Sequence, residues 1–115
     1  MAILKRAVAY VRVSNEQPIN GWSLDEQERR INEYTLENNS VVVQVYRDEV
    51  AEGKDKLPGF GQMMLDAYAG QFDTLIVVHP SALFRNAALA FRFQVELRTK
   101  LNIEVIFLRQ PVVAL

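Results

Sequence analysis

The sequence predicts an α/β fold with a doubly wound, mostly parallel sheet of at least four strands and helices on both faces. Strand-like and helix-like segments alternate along the whole of the 115 residues. The strand segments are continuous apolar runs, which is typical of strands covered on both faces. The helical segments are long enough to serve as right-handed crossovers between parallel strands. A chain of this length is expected to form one domain, residues 1–115.

The first part of the chain supplies a strand, a loop and a capped helix. Ala7–Val13 is rich in β-branched and aromatic residues and is predicted to be a buried strand. Asn15–Trp22 contains proline, asparagine and glycine, so it is predicted to be a loop. Ser23 and Glu26 fit a capping box, in which the serine accepts from the backbone and the glutamate reaches back. This box opens a helix that is expected to run to about Asn39.

The rest of the chain repeats this alternation. Val41–Tyr46 is predicted to be the second strand, and Arg47–Leu57 the polar loop after it. Pro58-Gly59 precedes a helix whose apolar face begins at Phe60 and which is stopped by Gly70, and Thr74–Val78 is the third strand. The last two elements are a helix over Ala87–Lys100, capped by Asn86, and a fourth strand over Ile103–Leu108.

The composition excludes several classes of protein. The chain has no cysteine and one histidine, which excludes disulfides, thiolate metal sites and paired-histidine metal motifs. The net charge of −1 gives no general attraction to nucleic acid, so any such contact must be local. Neither a membrane span nor a secretory segment is evident, and we expect a cytoplasmic protein. The glycine-rich phosphate-binding motifs and the hydrolase nucleophile motif are also missing.

Polar residues follow each predicted strand at the edge where ligands of such sheets bind. They include arginines, a serine and a carboxylate, which is the composition expected around a phosphate group. Those that follow the four strands in turn are Arg12 and Ser14, then Asp48, then His79 and Arg85, then Arg109.

Several of these residues have structural alternatives. Arg12 either contributes to a site or pairs with Asp48 on the surface. Gln27 lies on the buried stripe of its helix, so its amide either braces a loop or touches a ligand. Arg85 precedes a helix start that favours an anion, although surface arginines are common there. His79 is either a base or a structural histidine.

Taken together, the motifs resemble the catalytic domain of the serine recombinases, the resolvase and invertase family, and its large phage-type branch in particular. The residues that carry the resemblance are Ala9–Ser14, Gln17, Gly21–Gln27, Tyr46–Glu49, Gly53-Lys54, Pro58-Gly59, Phe72-Asp73 and Leu83–Asn86.

The resemblance implies a role for each site residue. Ser14 is the nucleophile that attacks a DNA phosphodiester and becomes linked to the 5′ phosphate, and Arg12 and Arg85 clamp the phosphate. The family uses neither metal nor nucleotide cofactor, and its members bind DNA as dimers that pair into tetramers. The remaining matches are Gln27 and Gln17, which organise the site, Asp48, an acidic residue next to the serine, Tyr10, which lies beneath the serine, and Asp73, which opens the third strand.

The chain departs from the family pattern at three positions. Where the family has an aspartate and an arginine after the third strand, this chain has Ser81 and Ala82, and Leu57 replaces a further arginine. The family's long helix and DNA-reading domain are not found in these 115 residues. A non-catalytic relative that serves assembly or regulation therefore stays open as an alternative. A third hypothesis, beside the recombinase and its non-catalytic relative, is a doubly wound domain that binds a small phosphate ligand.

Overall fold

The computed structural model of the chain describes residues 4–14, 17–18, 21–50, 57–84 and 86–109. Strands and helices alternate along these residues as the sequence predicts. The strands are β1 (Lys5–Ser14), β2 (Gln17–Pro18), β3 (Ser40–Val50), β4 (Thr74–Val77) and β5 (Glu104–Phe107), and the helices are α1 (Leu24–Glu37), α2 (Pro58–Tyr68) and α3 (Ala87–Leu101).

The sheet confirms the predicted fold class. Four strands are parallel in the order β3-β1-β4-β5, and the short β2 pairs antiparallel with the end of β1. Helix α1 covers one face, where Ile31 packs in one apolar cluster with Ala7, Ala9 and Val11 of β1 and Ile76 of β4. Helices α2 and α3 cover the other face through Met63, Ala67, Ala90 and Leu97. The two apolar layers fix which face each polar residue at the strand ends can occupy.

Both predicted helix caps are present. The Ser23 hydroxyl oxygen accepts from the Glu26 N–H at 3.1 Å, and the Asn86 side chain accepts from the Ala88 N–H at 2.8 Å. The prediction that the Glu26 carboxylate reaches back to the Ser23 backbone is wrong. The Glu26 carboxylate accepts from Arg29 and Arg30 instead, because these cations lie one turn along the same helix.

Two predicted loops contain strand. Arg47–Val50 belongs to β3, because β1 continues to Ser14 and the parallel register pairs Ser14 with Val50. Gln17–Pro18 pairs with the end of β1, beyond the point where β4 stops pairing with it. Pairing with a neighbouring strand therefore overrode the local polar composition.

None of the helices in the described ranges is both long and apolar enough to cross a membrane.

Candidate functional site

The carboxyl end of β1 carries Arg12 and Ser14 on one face of the sheet. Tyr10 is buried against α2, and because side chains alternate along a strand, Arg12 and Ser14 share its face. Arg12 is in register with Asp48 of the neighbouring β3, and Ser14 with Val50. Both Arg12 and Ser14 are half-buried. The structure therefore brings four of the predicted site residues, Tyr10, Arg12, Ser14 and Asp48, to one face at one strand end.

Asp48 holds the start of helix α2. The helix begins with Pro58, which has no N–H, so its first free donors are those of Gly59 and Phe60. Both donate to the Asp48 carboxylate, at 2.8 Å to Oδ1 and 2.9 Å to Oδ2. The residue at the cap position, Leu57, has no side chain that could do this. Asp48 is thus a cap supplied from another strand, and capping of this kind is worth about 0.5–2 kcal/mol.

Tyr10 completes the hydrogen bonding of the same carboxylate. Its hydroxyl donates to Asp48 Oδ2 at 2.7 Å, and its ring is fully buried. Burial raises the pKa of the Tyr10 hydroxyl well above its ordinary value, and the hydrogen bond to Asp48 raises it further. The tyrosine therefore stays protonated and acts as a donor, which fixes Asp48 between β1 and α2.

Gln27 braces the backbone of β1 just before Ser14. Its amide nitrogen donates to the Arg12 carbonyl at 2.9 Å, and its amide oxygen accepts from the Arg12 N–H at 3.3 Å. The same nitrogen also donates to the Trp22 carbonyl at 3.2 Å. Strand β4 no longer pairs with β1 at this point, so the fully buried Gln27 amide supplies the hydrogen bonds to the Arg12 main chain that a neighbouring strand would otherwise make. The bracing alternative for Gln27 is the one observed.

The Arg12 guanidinium does not pair with Asp48. Asp48 is satisfied by Tyr10 and the two helix N–H groups, and Arg12 forms no ion pair with any other described residue. The surface-pairing alternative for Arg12 is therefore wrong, because the helix start takes both carboxylate oxygens. Among the residues that the structure describes, Arg12 forms hydrogen bonds through its main chain only.

The turn after β4 carries His79, Ser81 and Ala82. The His79 Nδ1 accepts from the Ser81 N–H at 3.1 Å and lies 2.8 Å from the Ser81 hydroxyl oxygen, so it caps the 3-10 turn Pro80–Ala82. Burial lowers the pKa of His79, and the nearby Arg109 lowers it further. Of the two alternatives for His79, a base or a structural histidine, these contacts agree with the structural one. Ala82 is fully buried in the apolar layer against α2 and α3.

Two predicted site residues are not placed. Arg85 lies outside the described residues, and so does the side chain of Gln17. A feature that sequence reasoning missed is Trp22, whose ring lies under two guanidinium groups, those of Arg30 and Arg109. The tryptophan directly before the capping box and an arginine after the last strand were the available signals, but nothing in the sequence places them together.

Comparisons with known proteins agree on one family. The family model for the resolvase N-terminal domain matches residues 7–114. The N-terminal catalytic domain of TP901-1 integrase is 28% identical, with a TM-score of 0.75 and coverage of 90% of this chain and 77% of that one. A resolvase family site-specific recombinase from Streptococcus pneumoniae is 24% identical, with a TM-score of 0.71 and coverage of 90% and 71%.

A more distant structure shows how far the fold extends. A serine recombinase from Sulfolobus solfataricus is 19% identical, with a TM-score of 0.71 over 95% of this chain and 71% of that one, a likeness of fold alone. The search of curated proteins gave no match.

Proposed function

This chain belongs to the resolvase N-terminal domain family, and on that premise we propose that it cleaves and rejoins DNA strands through Ser14. The family match covers nearly the whole chain, so the chain is the catalytic domain of a DNA site-specific recombinase. The observation that carries the proposal for Ser14 is the end of β1. There the serine shares one face with the Arg12 guanidinium, which pairs with no acidic residue in the described part of the chain, over a backbone braced by Gln27.

The proposed chemistry is a transfer of one ester bond. The Ser14 hydroxyl gives up its proton as its oxygen bonds to phosphorus, the bond from phosphorus to the 3′ oxygen breaks, and the 3′ oxygen takes up a proton and leaves as a hydroxyl. The phosphoserine linkage keeps the bond energy, so the reverse step reseals a strand without a nucleotide cofactor. Arg12 and Arg85 are proposed to stabilise the charge that builds up on the phosphate oxygens.

Three further residues are proposed to position the nucleophile rather than to react. Gln27 fixes the main chain of Arg12, two residues before Ser14. Asp48 and Tyr10 join β3, β1 and α2 directly below the strand end. A displacement of the nucleophile by 1 Å can slow its attack about 10²-fold, so these rigid contacts contribute by holding the Ser14 hydroxyl in position.

The direct test is to trap the covalent adduct. A duplex with a nick opposite or next to the scissile bond lets the cleaved fragment diffuse away, so the phosphoserine accumulates and its peptide is identified by mass spectrometry. We expect the adduct on Ser14 and none with Ser14→Ala. The matched control is Ser81→Ala, which changes the other serine at this edge of the sheet and should leave the adduct in place. An adduct on another residue would refute the assignment.

A specific observation favours a second candidate, a recombinase relative that does not cut DNA. Ala82 stands where the family has an arginine, and it is fully buried between the sheet and its covering helices. An arginine at this position would bury its charge, so the site lacks this cation without a simple way to restore it. Losing one such donor costs about 10²–10³ in rate. Under this candidate, no adduct forms, while association with other recombinase chains is kept.

The assembly and location of the protein are proposed by analogy with the family. We propose that the chain works as part of a homodimer that pairs into a tetramer on DNA, and that it acts in the cytoplasm. We also propose that residues 1–115 form a single catalytic domain. Sedimentation of the chain with and without duplex DNA tests the assembly, and growth of the complex mass in steps of two chains is the expected result.

A further inference from the structure

Trp22 gathers two arginines at the same sheet edge as the proposed nucleophile. The Arg30 Cζ lies 4.8 Å from the centroid of the indole ring, and the Arg109 Cζ lies 4.6 Å from it. Trp22 itself is half-buried and packs on the apolar layer under α1. Stacking on an aromatic ring holds a guanidinium plane in place while its N–H edge still faces outward.

The two arginines differ in how their donors are used. The Arg30 Nε donates to the Glu26 carboxylate at 3.2 Å, so its charge is already balanced. The Arg109 guanidinium is exposed and makes no hydrogen bond or ion pair with any described residue. Its main chain is fixed, since its N–H donates to the Val78 carbonyl at 2.9 Å. Arg109 is therefore a positioned cation whose side-chain donors meet no acceptor among the described residues.

Arg109 is tied to the end of β1 through Gln27. The Gln27 amide nitrogen donates both to the Trp22 carbonyl and to the Arg12 carbonyl, so the stacked ring and the strand before Ser14 share one anchor. Strand β5 is two strands from β1, about 10 Å away across the sheet, and the register places its last residue, Phe107, level with Tyr10 of β1. The positive charge of Arg109 also reaches the end of β4, where it acts on His79.

We propose that Arg109, held on Trp22, binds a DNA backbone phosphate that flanks the one at Ser14. This inference rests on the proposed DNA function. In a chain of net charge −1, such local cations are what can set the path of the DNA across the sheet edge. Arg109 would position the duplex and would take no part in the bond exchange.

The test measures binding of the 115-residue chain to a fluorescein-labelled duplex by anisotropy over a series of low salt concentrations. We expect Arg109→Gln to weaken binding about 10-fold and to reduce the slope of log K against log salt by about 1. Arg30→Gln is the matched control, because it removes a balanced guanidinium from the same ring, and it should change affinity less than about 2-fold. Circular dichroism confirms that each variant is folded.

The outcomes separate this inference from the proposed function. If Arg109→Gln binds as the unchanged chain does, the inference is wrong while the function stands. If Arg30→Gln weakens binding equally, general charge explains the effect and the inference is also wrong. Ser14→Ala should bind DNA normally and form no adduct, so failure of the adduct assay with normal binding counts against the nucleophile alone. A chain that binds no duplex at any salt concentration overturns both.

Discussion

Gly59 and Gly61 stand two residues apart on α2 and offer a sharp test of the contact between this helix and Asp48. A Cβ added at Gly59 would lie 2.7 Å from the Arg47 carbonyl oxygen and 3.0 Å from Asp48 Oδ1. A Cβ added at Gly61 would meet nothing within 4 Å. The same substitution to alanine therefore probes close packing at one position and open solvent at the other.

The expected effects have opposite signs. Gly61→Ala gains up to about 1 kcal/mol, because alanine loses less backbone entropy than glycine in a helix. At Gly59 that gain is outweighed, since backbone or carboxylate must move to admit the methyl group. Such overpacking costs about 1–3 kcal/mol, and retreat of the helix also lengthens the hydrogen bonds of Gly59 and Phe60 to Asp48. We expect Gly59→Ala to lower the free energy of unfolding by about 2–3 kcal/mol.

Urea and thermal unfolding followed by circular dichroism measure both variants. For a domain of this size, 1 kcal/mol corresponds to a shift of about 4 °C in Tm. Gly61→Ala should therefore raise Tm by about 2–4 °C, and Gly59→Ala should lower it by about 8–12 °C. If Gly59→Ala were as stable as Gly61→Ala, the helix start would not be pressed against β3, and the capping role assigned to Asp48 would be refuted.

Three further predictions concern the same edge of the sheet. Asp48→Asn keeps the side-chain size but loses acceptors for the Tyr10 hydroxyl and a helix N–H, so urea unfolding should show the free energy of unfolding to fall by about 2–4 kcal/mol. The control is Asp66→Asn, whose carboxylate is half-buried and which should lose less than about 1.5 kcal/mol. Equal losses would contradict the role of Asp48. The pKa of Tyr10 is higher in the folded chain than in the unfolded one, so its contribution to stability is complete below about pH 10 and falls above it by up to about 1.4 kcal/mol per pH unit. In urea unfolding across this pH range, Tyr10→Phe should flatten the decline. An unchanged decline would show that Tyr10 is not its cause. The chain by itself should bind duplex DNA weakly, because its net charge is −1, and a tight, salt-resistant complex in a gel-shift assay would reveal a binding surface other than the sheet edge.

The family and the class of the sheet, doubly wound and mostly parallel, could be predicted from the sequence. Apolar runs such as Thr74–Val77 have few alternatives to a buried parallel strand when helical segments separate them. The caps at Ser23 and Asn86 are local, since each side chain bonds a backbone N–H two or three residues ahead. The sequence also predicted that Arg12 and Ser14 lie at the ligand-binding edge, because they end the first strand and ligands bind at the carboxyl ends of parallel strands.

The roles of the polar residues were decided by tertiary structure. Asp48 reads in the sequence as a free carboxylate in a loop, yet it caps a helix that begins ten residues later. Trp22 and Arg109 are at opposite ends of the chain, and only the position of β5 in the sheet brings them together. Apolar burial depends on residue type and period, so the sequence reveals it directly. A hydrogen bond or a stacked cation depends on which atoms meet within about 3–5 Å, and long-range packing alone determines that.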